Sequence, residues 1–152
     1  MTPAVSLALP LVKEFEGFRT DPYQDTGGYW TIGYGSRFLA NGSPVTKESP
    51  SITQDDAEQI ALDNLLVLDT AISSMVQVSL NDNQMAALLD FTYNLGPDRL
   101  RSSTLLRVLN QGQYNAARIE ILRWNKSTVN GKLVPLMGLT ARRRAEYTLW
   151  GG

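Results

Sequence analysis

From Thr53 to Met75 the sequence keeps one amphipathic period for more than twenty residues, and no other feature constrains its fold so strongly. Thr53 can serve as an N-cap, because its hydroxyl can accept a backbone N–H that the first helical turn leaves unpaired. Asp55 and Asp56 follow in that turn, where the helix dipole favours negative charge. Ala57, Ile60, Ala61, Leu65, Leu68, Ile72 and Met75 then fall on a single apolar stripe, which predicts a long helix lying against a core.

The chain differs in texture on the two sides of this helix. Between about residues 20 and 45 it is rich in turn formers and in aromatic or β-branched residues. Asp25-Thr26-Gly27-Gly28 reads as a turn, Tyr29 to Tyr34 as a strand, and Asn41-Gly42 as another hairpin turn. Residues 43–52, with Pro44 and Pro50, read as a surface loop. Before this stretch, Leu7, Leu11, Val12 and Phe15 recur at helical spacing, with Pro10 expected near the first turn, where proline is tolerated. Gly17 loosens the chain at the helix end.

Beyond residue 80 the pattern is helical almost throughout. Asn81 to Gln84 form a capping box for a helix running to Leu95, where Gly96-Pro97 stops it. A short helix is expected from Ser103 or Thr104 to near Gly112. Tyr114 to Trp124 is expected to form another, with Ala117, Ile121 and Trp124 on one stripe. Thr128 to Val134, centred on Asn130-Gly131, reads as a small hairpin or a loop, and Thr140 is expected to cap a final helix from Ala141 to Leu149. No internal repeat or low-complexity linker interrupts the chain. The pattern predicts an α+β protein, and 152 residues fit one domain able to bury its own core.

Two absent residue types narrow the chemistry. Without cysteine there is no disulfide framework and no thiolate metal site. Without histidine, Ser-His-Asp and Cys-His catalysis cannot be built, and the usual zinc sites lose both favoured ligand types. Acid–base chemistry therefore falls to Asp, Glu, Lys or Tyr. Gly33-Tyr34-Gly35 is no dinucleotide fingerprint, since Phe38 stands where the third glycine belongs. The Asp21 to Gly28 stretch lacks the acid spacing of an EF-hand loop. No metal or other cofactor is expected. A formal net charge of −1 argues against a nucleic-acid partner bound through a basic surface. Met1 to Val12 is apolar but is interrupted by Pro3 and Pro10 and closed by Lys13-Glu14. It reads as a packing helix rather than an export signal or a stable membrane insertion.

Glu16 ends the first helical run, Asp25 lies nine positions later in the turn, and Thr31 follows six positions after that in the strand. Two carboxylates delivered from different elements suit cleavage of a glycosidic bond. One can protonate the leaving oxygen while the other handles water or the sugar cation. A proton donor at neutral pH needs an apolar setting that disfavours its carboxylate, and Val12, Phe15 and Phe18 could supply it for Glu16. Each residue also has an ordinary use: Glu16 could pair with Arg19, Asp25 could bond its own turn, and Thr31 could simply suit a strand.

The order Glu16, Asp25, Thr31, both spacings and the Thr31-Ile-Gly-Tyr-Gly35 strand end resemble the signature of the phage-type lysozymes, the muramidases many bacteriophages use to lyse their host. Phe91-Thr-Tyr-Asn-Leu-Gly96, Ser103-Thr-Leu-Leu106 and Gly138-Leu-Thr-Ala-Arg-Arg143 with Ala145-Glu146 are similar to later stretches of that family, in the same order. The resemblance runs from about residue 12 to the C-terminus.

It implies a lysozyme-like single catalytic domain over residues 1–152. A small β-containing lobe (about 16–56) would be joined by the long helix to a larger helical lobe (about 1–15 and 70–152). It further implies an endolysin that hydrolyses the β-1,4 bond between N-acetylmuramic acid and N-acetylglucosamine in peptidoglycan, lysing the host. The placement of Glu16 and Asp25 allows an inverting or a retaining spacing, and inversion is expected because a hydroxyl at Thr31 suits holding a water. Glu16 would be the general acid, Asp25 the ionised partner, and Thr31 the holder of the attacking water. The alternatives are a lytic transglycosylase, which needs an acid but no water-holding Asp and Thr, or an inactive wall-binding module, against which the intact triplet speaks.

Tyr29 and Tyr34, with Trp30, are candidates to stack on sugars, although alternation along a strand exposes only one or two of them. Of Arg142, Arg143 and Arg144, which point in three directions, Arg143 is the expected partner of Glu16 by alignment with the family, and it joins the candidate substrate-binding residues. Such a pair would oppose the acid role until substrate loosens it. Ser36 stands where relatives commonly have histidine, so lost local bonding or lost pH dependence, rather than lost catalysis, is expected there. The near-neutral charge gives no overall attraction to an anionic wall, so recognition of peptidoglycan would come from the cleft. The implied enzyme is a monomer held in the host cytoplasm until a separate holin-type protein opens the membrane.

Overall fold

The computed structural model describes all residues, 1–152. Helix α1 (Pro3–Glu16) starts earlier than the position of Pro10 suggested, because Thr2 accepts the N–H of Val5 at 3.2 Å and Pro3 occupies the first turn. Pro10 therefore lies inside the helix. It is tolerated there because Pro10 and Ser6, whose carbonyl it leaves unpaired, are both exposed to water. The buried stripe is Ala4, Val5, Ala8 and Val12, while Leu7 is exposed. These small side chains let α1 pack against a central helix. Gly17 ends α1 at φ +71 and returns its N–H to Lys13 O.

Strands β1 (Arg19–Gln24) and β2 (Trp30–Gly33) pair antiparallel, with Tyr23 opposite Thr31 and Gln24 opposite Trp30. The register slips between Arg19 and Tyr23, where Pro22 cannot donate to the ladder. That proline and the polar run around it hid β1 in the sequence. The Asn41-Gly42 turn is present, with Gly42 donating to Leu39 O and a bridge between Phe38 and Pro44.

Helix α2 (Gln54–Met75) opens on the expected Thr53 N-cap, completed as a capping box by Asp56. One end packs on β2, where Gly33 lies so close to Ala57 that an added Cβ would stand 3.0 Å from the Ala57 Cβ. The rest of α2 runs past α1 and α3 (Asp82–Leu95). Every residue of α3 from Ala86 to Thr92 is buried, as befits a helix enclosed by neighbours on several sides.

Gly96 ends α3, but Pro97 then opens a short α4 (Pro97–Arg101), because proline suits a first helical position. Ser103 caps α5 (Thr104–Asn110), and α6 (Tyr114–Ile121) follows. The Asn130-Gly131 segment proves to be the tip of a hairpin, β3 (Lys126–Val129) with β4 (Lys132–Pro135), both tip residues having positive φ. Helix α7 (Met137–Gly151) begins before Thr140. That residue accepts from Asn125 Nδ2 at 3.1 Å and caps nothing. Seven helices and two small antiparallel sheets make the α+β, mainly helical class expected. No helix is long and apolar enough to cross a membrane.

Candidate active site

Glu16 is the last residue of α1, and Asp25 lies in the turn between β1 and β2. Both line one cleft of about 740 Å³, whose far walls are Asn64, Val67 and Leu68 of α2 and the segment from Thr92 to Pro97. The helix end and the turn thus bring the two predicted carboxylates to a common space.

Glu16 Oε2 accepts from Arg142 Nη1 at 2.6 Å. Arg142, nearly buried, uses its other donors on Asp90 of α3: Nε reaches Oδ2 at 2.9 Å and Nη2 reaches Oδ1 at 2.8 Å. Burial alone would lower the Arg142 guanidinium, but hydrogen bonding and charge from Asp90, then from Glu16, outweigh it and hold it above the usual arginine range. The expected pairing is therefore corrected. Arg142 reaches Glu16, whereas Arg143 points into the protein interior and does not line the cleft.

Arg143 is fully buried against Phe91 and Glu146. Its Nη2 donates to Glu146 Oε2 at 2.9 Å. Nε and Oε1, although 2.8 Å apart, are off the hydrogen-bonding line. Burial pushes the Glu146 carboxyl up and the Arg143 guanidinium down. Of the three consecutive arginines, one meets Glu16, one packs in the interior, and Arg144 is exposed.

Asp25 is fixed by its own turn: Oδ1 accepts the N–H groups of Gly27 and Tyr29, each at 2.9 Å. Its Oδ2 lies 3.5 Å from Arg37 Nη2. The same guanidinium sits 3.8 Å over the Tyr29 ring, so Tyr29, though 55% exposed, has one face covered. Thr31 is buried on β2 behind the turn and donates to Tyr29 O at 2.8 Å, outside the lining of the cleft.

Tyr34 does not line the cleft. Its ring is buried against Phe18, with centroids 5.6 Å apart, and its hydroxyl accepts from Gln54 Nε2 at 3.1 Å. Tyr29 is the exposed one of the two because it lies in the turn before β2, although it too stands outside the lining of the cleft. Ser36 is buried and accepts from Asn64 Nδ2 at 3.2 Å.

Asp90 and Asn64 were missed in the sequence, and Arg142 was considered there only as a neighbour of the expected Arg143. Asp90 did leave a signal: it is a lone acid inside the apolar run Ala86–Phe91, and a buried charge needs a partner.

A model of the family described as phage lysozyme matches residues 13–146. The chain belongs to the phage lysozyme family. An endolysin of Acyrthosiphon pisum secondary endosymbiont phage 1 is 37% identical over 142 residues, covering 93% of each chain. The structure of an endolysin from the Escherichia coli O157:H7 phage FAHEc1 is similar at a TM-score of 0.84 and 34% identity, covering 95% of this chain and 90% of that one. The muramidase domain of SpmX from Asticaccaulis excentricus is similar at a TM-score of 0.83 and 31% identity, covering 94% and 93%. This phage lysozyme is accordingly a glycoside hydrolase of the muramidase type, and its activity class is cell-wall hydrolysis.

Proposed function

We propose that this phage lysozyme hydrolyses the β-1,4 bond between N-acetylmuramic acid and N-acetylglucosamine in bacterial peptidoglycan, with inversion, and thereby lyses the host cell. One observation carries the reading: Glu16 and Asp25, held on different elements, line a single cleft. Glu16 gives its proton to the glycosidic oxygen as the C1–O bond breaks. Asp25, rigid on two backbone donors, orients a water on the opposite face of the sugar and takes its proton as the new C1–O bond forms. Thr31 supports the segment that carries this water, through its bond to Tyr29 O. Arg142 Nη1 holds the Glu16 carboxyl in place at the cleft wall. Tyr29 offers its uncovered face to a sugar ring.

The division into a small lobe over about 16–56 and a helical lobe over about 1–15 and 70–152 places the cleft between the two. On the same reading the enzyme is a monomer that collects in the host cytoplasm and reaches the wall through a holin-type partner.

Purified protein acting on peptidoglycan provides the test. Mass spectrometry should find hydrated reducing ends, and NMR of the freshly released product should find the α anomer. Anhydro ends would make it a transglycosylase, and a β product would rule out inversion.

A further inference from the structure

The Glu16–Arg142 contact poses a chemical problem. An arginine 2.6 Å from a general acid favours the ionised carboxylate, the form with no proton to give. Arg142, however, does not face Glu16 as a free cation. Its Nε and Nη2 donate to both oxygens of Asp90, at 2.9 and 2.8 Å, leaving Nη1 for Glu16. Asp90 is fully buried and Arg142 is 4% exposed, so water screens this pairing little.

We propose that Asp90 is a positioning residue for the glycosidase reaction: by occupying the far edge of the Arg142 guanidinium it aims Arg142 at Glu16 and offsets its charge, so that Glu16 can keep a proton for the leaving oxygen. The inference rests on Glu16 being the general acid. A second layer supports it. Arg143 and Glu146, both buried on α7, pair with each other, and the Glu146 carboxyl is hydrogen-bonded to Asp90. Asp90 is the carboxylate that takes two of the Arg142 donors directly. The other titratable groups that feel the Glu16 charge are Tyr23 of β1 and Tyr93 of α3, and Asp25 shares its cleft. None of these is a cation that could replace Arg142. Arg37 lies with Asp25 and Tyr29.

The test is the pH dependence of kcat/KM for peptidoglycan lysis at constant salt, with folding followed by circular dichroism. In Asp90→Asn, Arg142 keeps its charge and loses its counter-ion, so the alkaline limb should move to lower pH by about one unit. In the double variant Asp90→Asn with Arg142→Gln, opposite charges leave together, and the limb should lie within about half a unit of the parent. A folded Asp90→Asn protein with its limb at the parent pH overturns the proposal, whatever its melting temperature. If the single variant does not fold, the double variant decides. Without the offset, loss of Arg142 would raise the limb by about a unit or more, and that result overturns it too. Failure of the underlying reading looks different: Glu16→Gln would then stay active.

Discussion

Gly35 and Glu16 leave no room for a side chain between them. A Cβ added to Gly35 would stand 2.6 Å from Glu16 Oε1 and 3.2 Å from its carboxyl carbon. Gly35 also has φ +74, a conformation open to glycine and costly for other residues. Gly35→Ala should therefore displace the Glu16 carboxyl, and a shift of about 1 Å at a reacting group costs about 10²-fold in rate. The strained backbone should add a loss of about 1–2 kcal/mol in stability. Lysis kinetics and a thermal melt measure the two effects separately. Parent activity would mean that the Glu16 position is not critical.

Tyr93 gives a pH-dependent prediction. Burial, with the Glu16 charge adding to it, pushes its phenol up to about 12 from 10.0. The folded state then holds this proton more tightly than the unfolded state does. The resulting stability is fully present below pH 10 and is lost as pH rises towards 12, by on the order of 2 kcal/mol. Tyr93→Phe removes the titration and the 2.6 Å bond to Tyr34 O, at a cost of about 1 kcal/mol near neutrality. Urea titrations should show the parent losing more stability than Tyr93→Phe between pH 10 and 12. Parallel losses would contradict the account.

The buried Arg143–Glu146 pair should behave asymmetrically. Removing one partner, as in Glu146→Ala, strands a charge that no water reaches and should cost about 3–5 kcal/mol. Replacing both by apolar residues of similar volume, Arg143→Met with Glu146→Leu, should be neutral to stabilising, by up to about 4 kcal/mol. Denaturant midpoints test this. A double variant as unstable as the single one would show that the pair does more than balance its own burial.

Much of this was written locally in the chain. Caps at Thr53, Asn81 and Ser103, and the Asn130-Gly131 tip, depend on residues a few positions apart, so local pattern located those elements. Glu16 and Asp25 were legible through spacing and family resemblance. What the sequence concealed depends on partners far along the chain. Strand β1 exists because β2 pairs with it despite Pro22. Helix α1 buries Ala4 and Ala8 rather than the larger Leu7 because the side turned inward is decided by packing. The choice between Arg142 and Arg143 is a rotation of one residue, roughly 100°, about the α7 axis. That rotation follows from how α7 packs on α3, where Asp90 waits.

The central claim is that Glu16 supplies the proton that breaks the glycosidic bond, and Glu16→Gln tests it most directly. The amide fits the space beside Gly35 and can still bond Arg142, but it has no acidic proton to give. Lysis of purified peptidoglycan by the folded variant, measured at the parent's optimum pH, should fall by about 10²–10⁴-fold. Activity within a few-fold of the parent, with an unchanged circular dichroism spectrum, would contradict the account.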